Sequence, residues 1–415
     1  MRLPRSPVVL IAALLWIAVL PAIADEVTDW NRIMFQTALV APATSPLVMN
    51  RNAAIVQVAV FDALNGIERR YQSIFVDPAA PRGASRRAAV VEAAYGTLVK
   101  LYPAQKPTLD AQREASLAAI ASDAAAENSE SIARGIEWGS SVAAAIWAWR
   151  LTDGFTPPPP PFLGGTDPGQ WRPTPPGFLP GAGPQFAYMT PFSIPSPSSF
   201  RPAGPPSLTS ARYAADFDET RTMGALTSAS RTPDQTLAAQ FWNVSTASSY
   251  WNRIAVELAA QRHTTMSENA RLLALLDVAM ADAAIACWEA KYHYVFWRPV
   301  TAIGFTEAGW TPLLITPNHP EYPSGHSTVS GAAAAVLGDY FGENTAFEID
   351  SDVMLGVVRS FSSFPAALQE IKNARIFAGI HFRSACDDGQ NVGIAVGTYV
   401  LEHEAAPLHG NHGTD

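Results

Sequence analysis

Two cations mark the first segment of this chain whose residue types could do chemistry. Lys291 and Arg298 stand seven residues apart in AKYHYVFWRPVTAI, at positions 290–303. Seven residues of helix turn through about 700°, so the spacing predicts both side chains on one helix face, two turns apart. Pro299 would end that helix. Two cations in an apolar, aromatic segment indicate an anion site; the alternative is two snorkelling surface side chains.

A second segment, PEYPSGHSTVSGAAAAVL, begins at position 320 and joins a Pro-rich loop to a helix. Ser324 is predicted to cap this helix. The free N–H groups of the first turn favour an anion, and Gly325 allows a close approach. His326 lies at the same point and can transfer a proton near neutral pH. The alternative is an ordinary serine cap followed by a core histidine.

A third segment, ARIFAGIHFRSACDDG at positions 374–389, adds another cation and another histidine. Arg375 offers a forked, permanently charged group for an anion. His381 follows six residues later, and on an uninterrupted helix the two side chains would lie about 120° apart. Gly379 can bend the chain between them. The alternative for His381 is a buried histidine with ordinary hydrogen-bond partners.

Together the three segments suit a tetrahedral oxyanion that passes through five-coordination. Cations and backbone amides would hold the equatorial oxygens. One histidine would take an axial position as ligand or nucleophile, and the other would serve the opposite axial group as acid or base.

The elements that must position these groups are predicted to be helices, and the fold all-α. Apolar residues recur at three- and four-residue spacing, and alternating β-branched runs are almost missing. The predicted helices span residues 50–65, 86–102, 107–126, 129–151, 209–222, 233–243, 247–262, 267–294, 325–341, 346–359, 365–379 and 387–404.

Composition divides the chain into two helical halves. Residues 25–153 form a predicted N-terminal helical bundle, and residues 208–404 a C-terminal bundle that carries the chemistry. Between them, residues 154–207 are rich in Pro, Gly and aromatic residues, which excludes regular helix. The aromatic residues favour an ordered loop that rims a site; the alternative is a disordered linker. Residues 405–415 form a polar tail.

The first 24 residues resemble a secretory signal peptide. Arg2 and Arg5 precede an apolar run that is too short for a membrane span and ends at a small-residue cleavage pattern. The sequence predicts an exported protein, periplasmic or secreted, with no membrane span after cleavage. The formal net charge is −9, and loss of the two arginines makes it more negative, which argues against nucleic acid as a partner.

The three motifs in this order resemble a known superfamily. Lys-x6-Arg-Pro, Pro-Ser-Gly-His and Arg-x5-His are similar to the motifs of the vanadium-dependent haloperoxidases and type 2 phosphatidic acid phosphatases (PAP2). The residues in and around the motifs are most similar to the soluble bacterial haloperoxidase-like branch. This similarity extends over roughly residues 270–404. The resemblance implies an all-α pair of packed four-helix bundles.

The resemblance also implies a site. Five residues would bind the oxygens of vanadate, or of phosphate in the same place: Lys291, Arg298 and Arg375 by charge, and Ser324 and Gly325 by hydrogen bonds. His381 would be the axial ligand of vanadium, and His326 the general acid–base. With vanadate as cofactor, the family uses hydrogen peroxide to oxidise halide.

Two alternatives stay open beside a haloperoxidase. The same residues could serve an exported acid phosphatase that hydrolyses a small phosphate ester through a phosphohistidine. A non-catalytic helical protein that binds anions is the other, although binding alone needs neither His326 nor His381.

The sequence departs from the family pattern in the third motif. Ala374 replaces a frequent serine, and Ala385 stands where an acidic partner of His381 is often found. Asp387 or Asp388 could orient the imidazole instead. Cys287 and Cys386 flank two of the motifs, so a disulfide between them is possible in an exported chain, as are two buried thiols.

Overall fold

The computed structural model describes residues 25–41, 44–123, 127–351 and 353–408. Thirteen α-helices lie in this part of the chain, which confirms the all-α prediction. They are α1 (Glu26–Val40), α2 (Pro46–Glu68), α3 (Arg86–Leu101), α4 (Lys106–Ser122), α5 (Ser129–Arg150), α6 (Ala211–Met223), α7 (Pro233–Val244), α8 (Ala247–Arg262), α9 (Met266–Tyr294), α10 (Pro299–Gly304), α11 (Gly325–Phe341), α12 (Phe364–Phe377) and α13 (Arg383–His403). The predicted leader, residues 1–24, and the end of the polar tail lie outside the described residues.

The N-terminal helices α2, α3, α4 and α5 pack on one another. Their first turns are set by polar caps: Ser45, Ser85 and Asn128 accept hydrogen bonds from the N–H groups that begin α2, α3 and α5. The Ala-rich faces of these helices allow close contact, so that most of α2 is buried.

The C-terminal helices α8, α9, α11, α12 and α13 form the second group. The alanine run of α11 is buried, and α13 lies directly against it. The approach is so close that a Cβ on Gly393 would stand 1.9 Å from the carbonyl oxygen of Thr328. Small residues on both helices thus place the start of α13 beside the start of α11.

Helices α2 and α9 join the two groups, and one continuous hydrophobic core extends through both. Within the described residues, α2 is long and apolar enough to cross a membrane by length and composition, but 94% of its most apolar window is buried inside the protein.

One predicted helix is wrong. Residues 346–359 hold the antiparallel strands β1 (Phe347–Asp350) and the start of β2 (Val358–Phe361), paired with Phe347 opposite Phe361. Burial alternates along β1, with Phe347 and Ile349 buried and the residues between and after them exposed. This period of two belongs to a strand, and a four-residue strand is too short to stand out in sequence.

The Pro-rich segment, residues 154–207, lies on the helices and is anchored there by hydrogen bonds. The amide of Trp171 donates to the carbonyl of Val295 (2.7 Å), and the amide of Ala182 donates to that of Asn318 (2.7 Å). Trp171 is fully buried. These contacts place part of the segment beside the loop that precedes α11.

Candidate active site

Lys291 lies in the last turn of α9 and is fully buried. Its ammonium donates to three backbone carbonyl oxygens of the loop before α11, those of Pro320 (2.8 Å), Glu321 (2.9 Å) and Pro323. Burial lowers its pKa to about 7. Lys291 therefore fixes this loop and contributes its charge from within the protein.

Arg298 follows α9, because that helix ends at Tyr294. The prediction that one helix face carries both cations is therefore wrong, although both bind the same loop. The guanidinium of Arg298 donates to the carbonyl oxygens of His319 (2.8 Å) and Ile380 (2.8 Å). It also lies 3.0 Å from His319 Nδ1 and 3.1 Å from His381 Nε2. Arg298 thus links the loop that precedes α11, called the α11 loop below, to the third motif.

The contacts of His381 define its tautomer. Arg298 can only donate, so His381 Nε2 must accept and therefore carries a lone pair. The proton is then on Nδ1, which donates to Glu321 Oε1 (2.9 Å). The same oxygen accepts from the amide of Phe382 (2.9 Å). Burial and nearby cations hold the pKa of His381 well below its ordinary value, so the ring is neutral and its unprotonated Nε2 is engaged by Arg298.

The start of α11 presents donors. Ser324 takes the N-cap position, but its side chain makes no capping hydrogen bond. Its Oγ instead accepts from the Ser327 hydroxyl (3.2 Å), and its amide donates to the carbonyl of Ala385 (2.9 Å). The first hydrogen bond inside the helix runs from the Thr328 amide to the Ser324 carbonyl (3.0 Å). The amides that precede Thr328 in α11 are thus not used by the helix itself.

Gly325 and His326 face the same space. A Cβ on Gly325 would stand 3.1 Å from the ring of Trp288, so any other residue would crowd this position. The ring of His326 hydrogen-bonds to the backbone of Trp242. Its Nε2 is buried and has no hydrogen-bond partner among the described residues. Burial and cations hold the pKa of His326 well below its ordinary value.

Arg375 is the cation with unused donors. It is 1% exposed, and its Nη2 donates to Asn243 Oδ1 (3.3 Å). Its Nε and Nη1 are buried and have no partner within the described part of the chain. Helix α12 ends at Phe377, and Gly379 turns the chain with φ +75°. His381 lies in the connection to α13 that follows this turn, and it lines the same cavity as Arg375.

Four of the predicted site residues, Gly325, His326, Arg375 and His381, line one cavity of about 500 Å³, whereas Lys291, Arg298 and Ser324 are not part of its lining. Arg298 stands one layer behind, against His381. The start of α2 and residues of the Pro-rich segment, among them Ala182 and Phe186, also line the cavity. The three sequence motifs therefore meet at one place, and the N-terminal half completes the cavity.

The predicted role of Asp387 and Asp388 is wrong. Asp387 pairs with Lys372 (3.0 Å), and Asp388 accepts from the Tyr322 hydroxyl (2.8 Å). Both lie inside α13, whereas His381 lies before it, so their side chains point to other neighbours. The carboxylate on His381 comes from Glu321.

Of the two alternatives for the cysteines, the structure has the second, since Cys287 and Cys386 are free, buried thiols. The Cys287 thiol donates to the carbonyl of Pro323 (3.6 Å). The side chain of Ser327 is the hydrogen-bond partner of Cys386. The two thiols thus contact the start of α11 at different residues rather than each other. Burial raises the pKa of both.

Sequence reasoning missed four residues of the cavity and its support. Glu321 and His319 stand just before the second motif, and a carboxylate in NHPEYPSGH was a usable signal. The spacing of Trp288, three residues before Lys291, was a second usable signal, because residues three apart are neighbours on one helix face. Asn243 lies far from all three motifs in sequence and carried no such signal.

The fold and this cavity define an all-α protein with a buried, cationic, histidine-containing site that fits a tetrahedral oxyanion. Comparisons with known proteins agree. Residues 271–309 and 304–410 match the family model of the VCPO second helical-bundle domain. The chain is 25% identical over 288 residues to the vanadium chloroperoxidase of Curvularia inaequalis, an alignment that spans 50% of this chain and 47% of that one. The chain thus spans about half the length of this curated relative.

Solved structures extend the similarity to nearly the whole chain. A bacterial vanadium-dependent iodoperoxidase superposes with a TM-score of 0.80 at 28% identity, covering 92% of this chain and 97% of that one. A bacterial vanadium-dependent chloroperoxidase in its holo form shares the fold, with a TM-score of 0.68 at 18% identity over 92% and 93%. In sequence and in fold, the chain is therefore similar to vanadium-dependent haloperoxidases.

Proposed function

We propose that this protein is a vanadate-dependent haloperoxidase that oxidises halide with hydrogen peroxide. The observation that carries the proposal is the buried guanidinium of Arg375, whose Nε and Nη1 lack partners within the described residues. A buried cation with unused donors is unfavourable unless an anion pairs with it. His381 lines the same cavity, and its unprotonated Nε2, which accepts a hydrogen bond from Arg298, supports an oxyanion that can be ligated.

The residues present fit vanadate. Arg375 would bind its oxygens through the unused donors, and the Ser324 hydroxyl and the first amides of α11, including that of Gly325, would add hydrogen bonds. Lys291 and Arg298 already donate to carbonyl oxygens, so they would act mainly through charge. His381 Nε2 would ligate the vanadium, in place of its hydrogen bond from Arg298. Bound vanadate supplies Lewis-acid activation of peroxide.

His326 is proposed to move the proton. Its Nε2 has no partner among the described residues and faces the cavity, so it can accept a proton from peroxide and return one to the leaving oxygen. The ring is neutral because burial and cations lower its pKa. An anion in the cavity would offset the cations and raise that pKa toward the working range.

A phosphatase is the second candidate, and the Glu321–His381 pair favours it specifically. A carboxylate on Nδ1 with a lone pair on Nε2 is also the arrangement of an activated nucleophilic histidine. Phosphate fits the same donors as vanadate. Hydrolysis of a small phosphomonoester would then pass through His381.

One experiment separates the two. The purified protein is loaded with orthovanadate and assayed for bromination with peroxide, beside hydrolysis of a chromogenic phosphate ester. We expect bromination that requires vanadate and is lost in His381→Ala. Vigorous hydrolysis that vanadate inhibits, with no halogenation, would refute the haloperoxidase and favour the phosphatase.

We further propose export to the periplasm or medium, on the basis of residues 1–24 alone. N-terminal sequencing of protein from the native host tests this. Export predicts a mature chain that starts near Asp25, and a retained Met1 in the cytoplasmic fraction would contradict it.

A further inference from the structure

His381 lies in a short connection between two helices rather than inside a helix. Helix α12 ends at Phe377, and α13 begins at Arg383. Such a connection lacks the repeating hydrogen bonds of a helix, so its buried peptide groups need partners on neighbouring elements. The position of the His381 ring therefore depends on the elements that hold this connection.

Helix α6, which lies outside all three motifs, presents one buried face. Tyr213, Asp216 and Thr220 are the buried residues of this helix. They stand three and four residues apart, so they lie on the same side of the helix. These three residues are called the α6 face below, and each of them contacts the segment that carries His381.

Thr220 holds the backbone of His381 itself. Its Oγ1 donates to the carbonyl oxygen of His381 (3.2 Å), although 161 positions separate the two residues in the chain. Thr220 is 0% exposed and His381 is 2% exposed, so water cannot easily replace this donor. A buried carbonyl that loses its donor is unfavourable. We therefore expect the connection to shift when the hydroxyl is removed.

Asp216 fixes the start of α13, directly after the connection. The N-cap residue of α13, Phe382, makes no side-chain capping hydrogen bond. The carboxylate of Asp216 instead accepts from the amide of Ser384 in the first turn (3.1 Å). A carboxylate is favourable there, because the free amides of a helix N-terminus carry partial positive charge. Helix α6 thus supplies a cap that α13 does not provide for itself.

Tyr213 completes the contact and extends it to the first motif. Its ring packs edge-on against that of Phe382, with centroids 5.5 Å apart. Its hydroxyl accepts a hydrogen bond from Trp297 Nε1 (3.1 Å), and Trp297 directly precedes Arg298. The α6 face therefore contacts the residues next to both Arg298 and His381.

The same connection is bound by the groups described above. Arg298 donates to the carbonyl of Ile380 (2.8 Å), and Glu321 accepts from the amide of Phe382 (2.9 Å). The peptide groups on both sides of His381 are thus bound by Arg298 and Glu321, while its own carbonyl is bound by Thr220. A ligating atom must be held within about 0.5 Å of its productive position, which this arrangement achieves before an oxyanion binds.

We infer that the α6 face positions His381 for the oxyanion, with Thr220 and Asp216 as positioning residues that act through the backbone of residues 381–384. The inference rests on the proposed function for its consequence, which is that His381 Nε2 ligates vanadium. Neither positioning residue lines the cavity. Their effect must therefore appear in the geometry of the connection and in the affinity for vanadate.

The first arm of the test measures vanadate affinity by calorimetric titration with orthovanadate. Thr220→Val keeps the shape of the side chain and removes the hydroxyl, so we expect the affinity to fall about tenfold, as for other residues that support a ligating histidine. Thr220→Ser keeps the hydroxyl and should stay within about threefold of wild type. Thr222→Val, the same change at an exposed position of α6, is the matched control. Equal affinity in Thr220→Val and wild type would overturn the inference.

The second arm measures hydrogen exchange by mass spectrometry, without vanadate, peroxide or halide. We expect amides in residues 378–386 to exchange about tenfold faster in Thr220→Val and in Asp216→Ala, because local opening of the connection becomes easier. Peptides from α2 and α5 should exchange as in wild type. Asp218→Ala, at an exposed position of α6, is the matched control for Asp216→Ala. Faster exchange throughout the chain would show general destabilisation and overturn the inference.

The two arms separate this inference from the proposed function. If wild type neither binds vanadate nor brominates, but residues 378–386 exchange faster in both variants, the proposed function fails and the positioning of His381 stands. If exchange in this segment is unchanged in both variants, the positioning inference is overturned even where the wild-type protein brominates.

Discussion

The imidazole of His381 and the carboxylate of Glu321 are directly bonded, with Nδ1 2.9 Å from Oε1, although sixty residues separate them in the chain. Both side chains are buried. The carboxylate fixes the ring and leaves Nε2 as the basic atom, which accepts a hydrogen bond from Arg298. Burial raises the pKa of Glu321 to about 7, so the state of this pair is sensitive to pH near neutrality.

The pair leads to a first prediction. Glu321→Gln keeps the size of the side chain but removes the charge that raises the basicity of Nε2. We expect vanadate affinity to fall about 10- to 100-fold, as for other residues that support a ligating histidine. Calorimetric titration with orthovanadate measures this. Asp387→Asn, at the position first predicted as the partner, serves as control and should bind vanadate normally; the reverse pattern would contradict the assignment.

Arg375 should have opposite effects on the free and the vanadate-bound protein. Arg375→Met removes an incompletely paired buried cation, so we expect the free energy of unfolding without vanadate to rise by about 1–3 kcal/mol. Vanadate should raise the melting temperature of the wild type and leave the variant unchanged. Thermal melts with and without vanadate test both effects. Arg221→Met, at a partly exposed position of α6, should match the wild type, and an unchanged vanadate response in Arg375→Met would refute the role.

His326 should affect turnover rather than cofactor binding. We expect His326→Ala to lower kcat for bromination about 10²- to 10⁴-fold, the usual contribution of a general acid–base. Vanadate affinity should stay within about threefold of wild type, because the oxyanion donors are other groups. Steady-state kinetics and vanadate titration measure the two quantities, with His403→Ala near the end of α13 as control. A loss of affinity with kcat unchanged would assign His326 to binding instead.

A buried acid outside the site makes stability depend on pH. Asp277 on α9 accepts from Asn252 Nδ2 (2.8 Å), and burial raises its pKa to about 8. Between its ordinary pKa near 4 and this value, the folded state binds more protons than the unfolded state, so stability falls as pH rises through that window. Asp277→Asn keeps an acceptor for Asn252 and removes this dependence.

Urea unfolding from pH 5 to pH 8 tests the effect. Between pH 5 and pH 8, the free energy of unfolding of wild type should fall by on the order of 2–4 kcal/mol relative to that of Asp277→Asn, at about 1.36 kcal/mol per pKa unit. Asp167→Asn, an exposed position, should track the wild type. Parallel curves for Asp277→Asn and wild type would show that the buried acid is not the cause.

The two cysteines should react as free thiols. Alkylation of the denatured, unreduced protein followed by mass mapping should label both Cys287 and Cys386. The native protein should react slowly, because both thiols are buried and their pKa values are raised. A linked peptide pair in the unreduced digest would contradict the structure.

The sequence by itself determined the local features. Helical periodicity identified most of the helices. The motifs of Lys291, of Ser324–His326 and of Arg375–His381 could be recognised because the residues inside each motif lie within a few positions of one another, and their order indicated one oxyanion site. Short elements were not predicted. The four residues of β1 alternate between buried and exposed positions too few times for a strand to be preferred over a helix.

Only the tertiary structure decided which distant groups meet. Asp387 and Asp388 stand closer to His381 in sequence, yet Glu321 bonds to it, because Lys291 and Arg298 hold the α11 loop against the connection before α13. The same packing keeps Cys287 apart from Cys386, and brings Asn50 from the N-terminal bundle into the cavity. Such contacts depend on how helices pack across the whole chain, which no local pattern records.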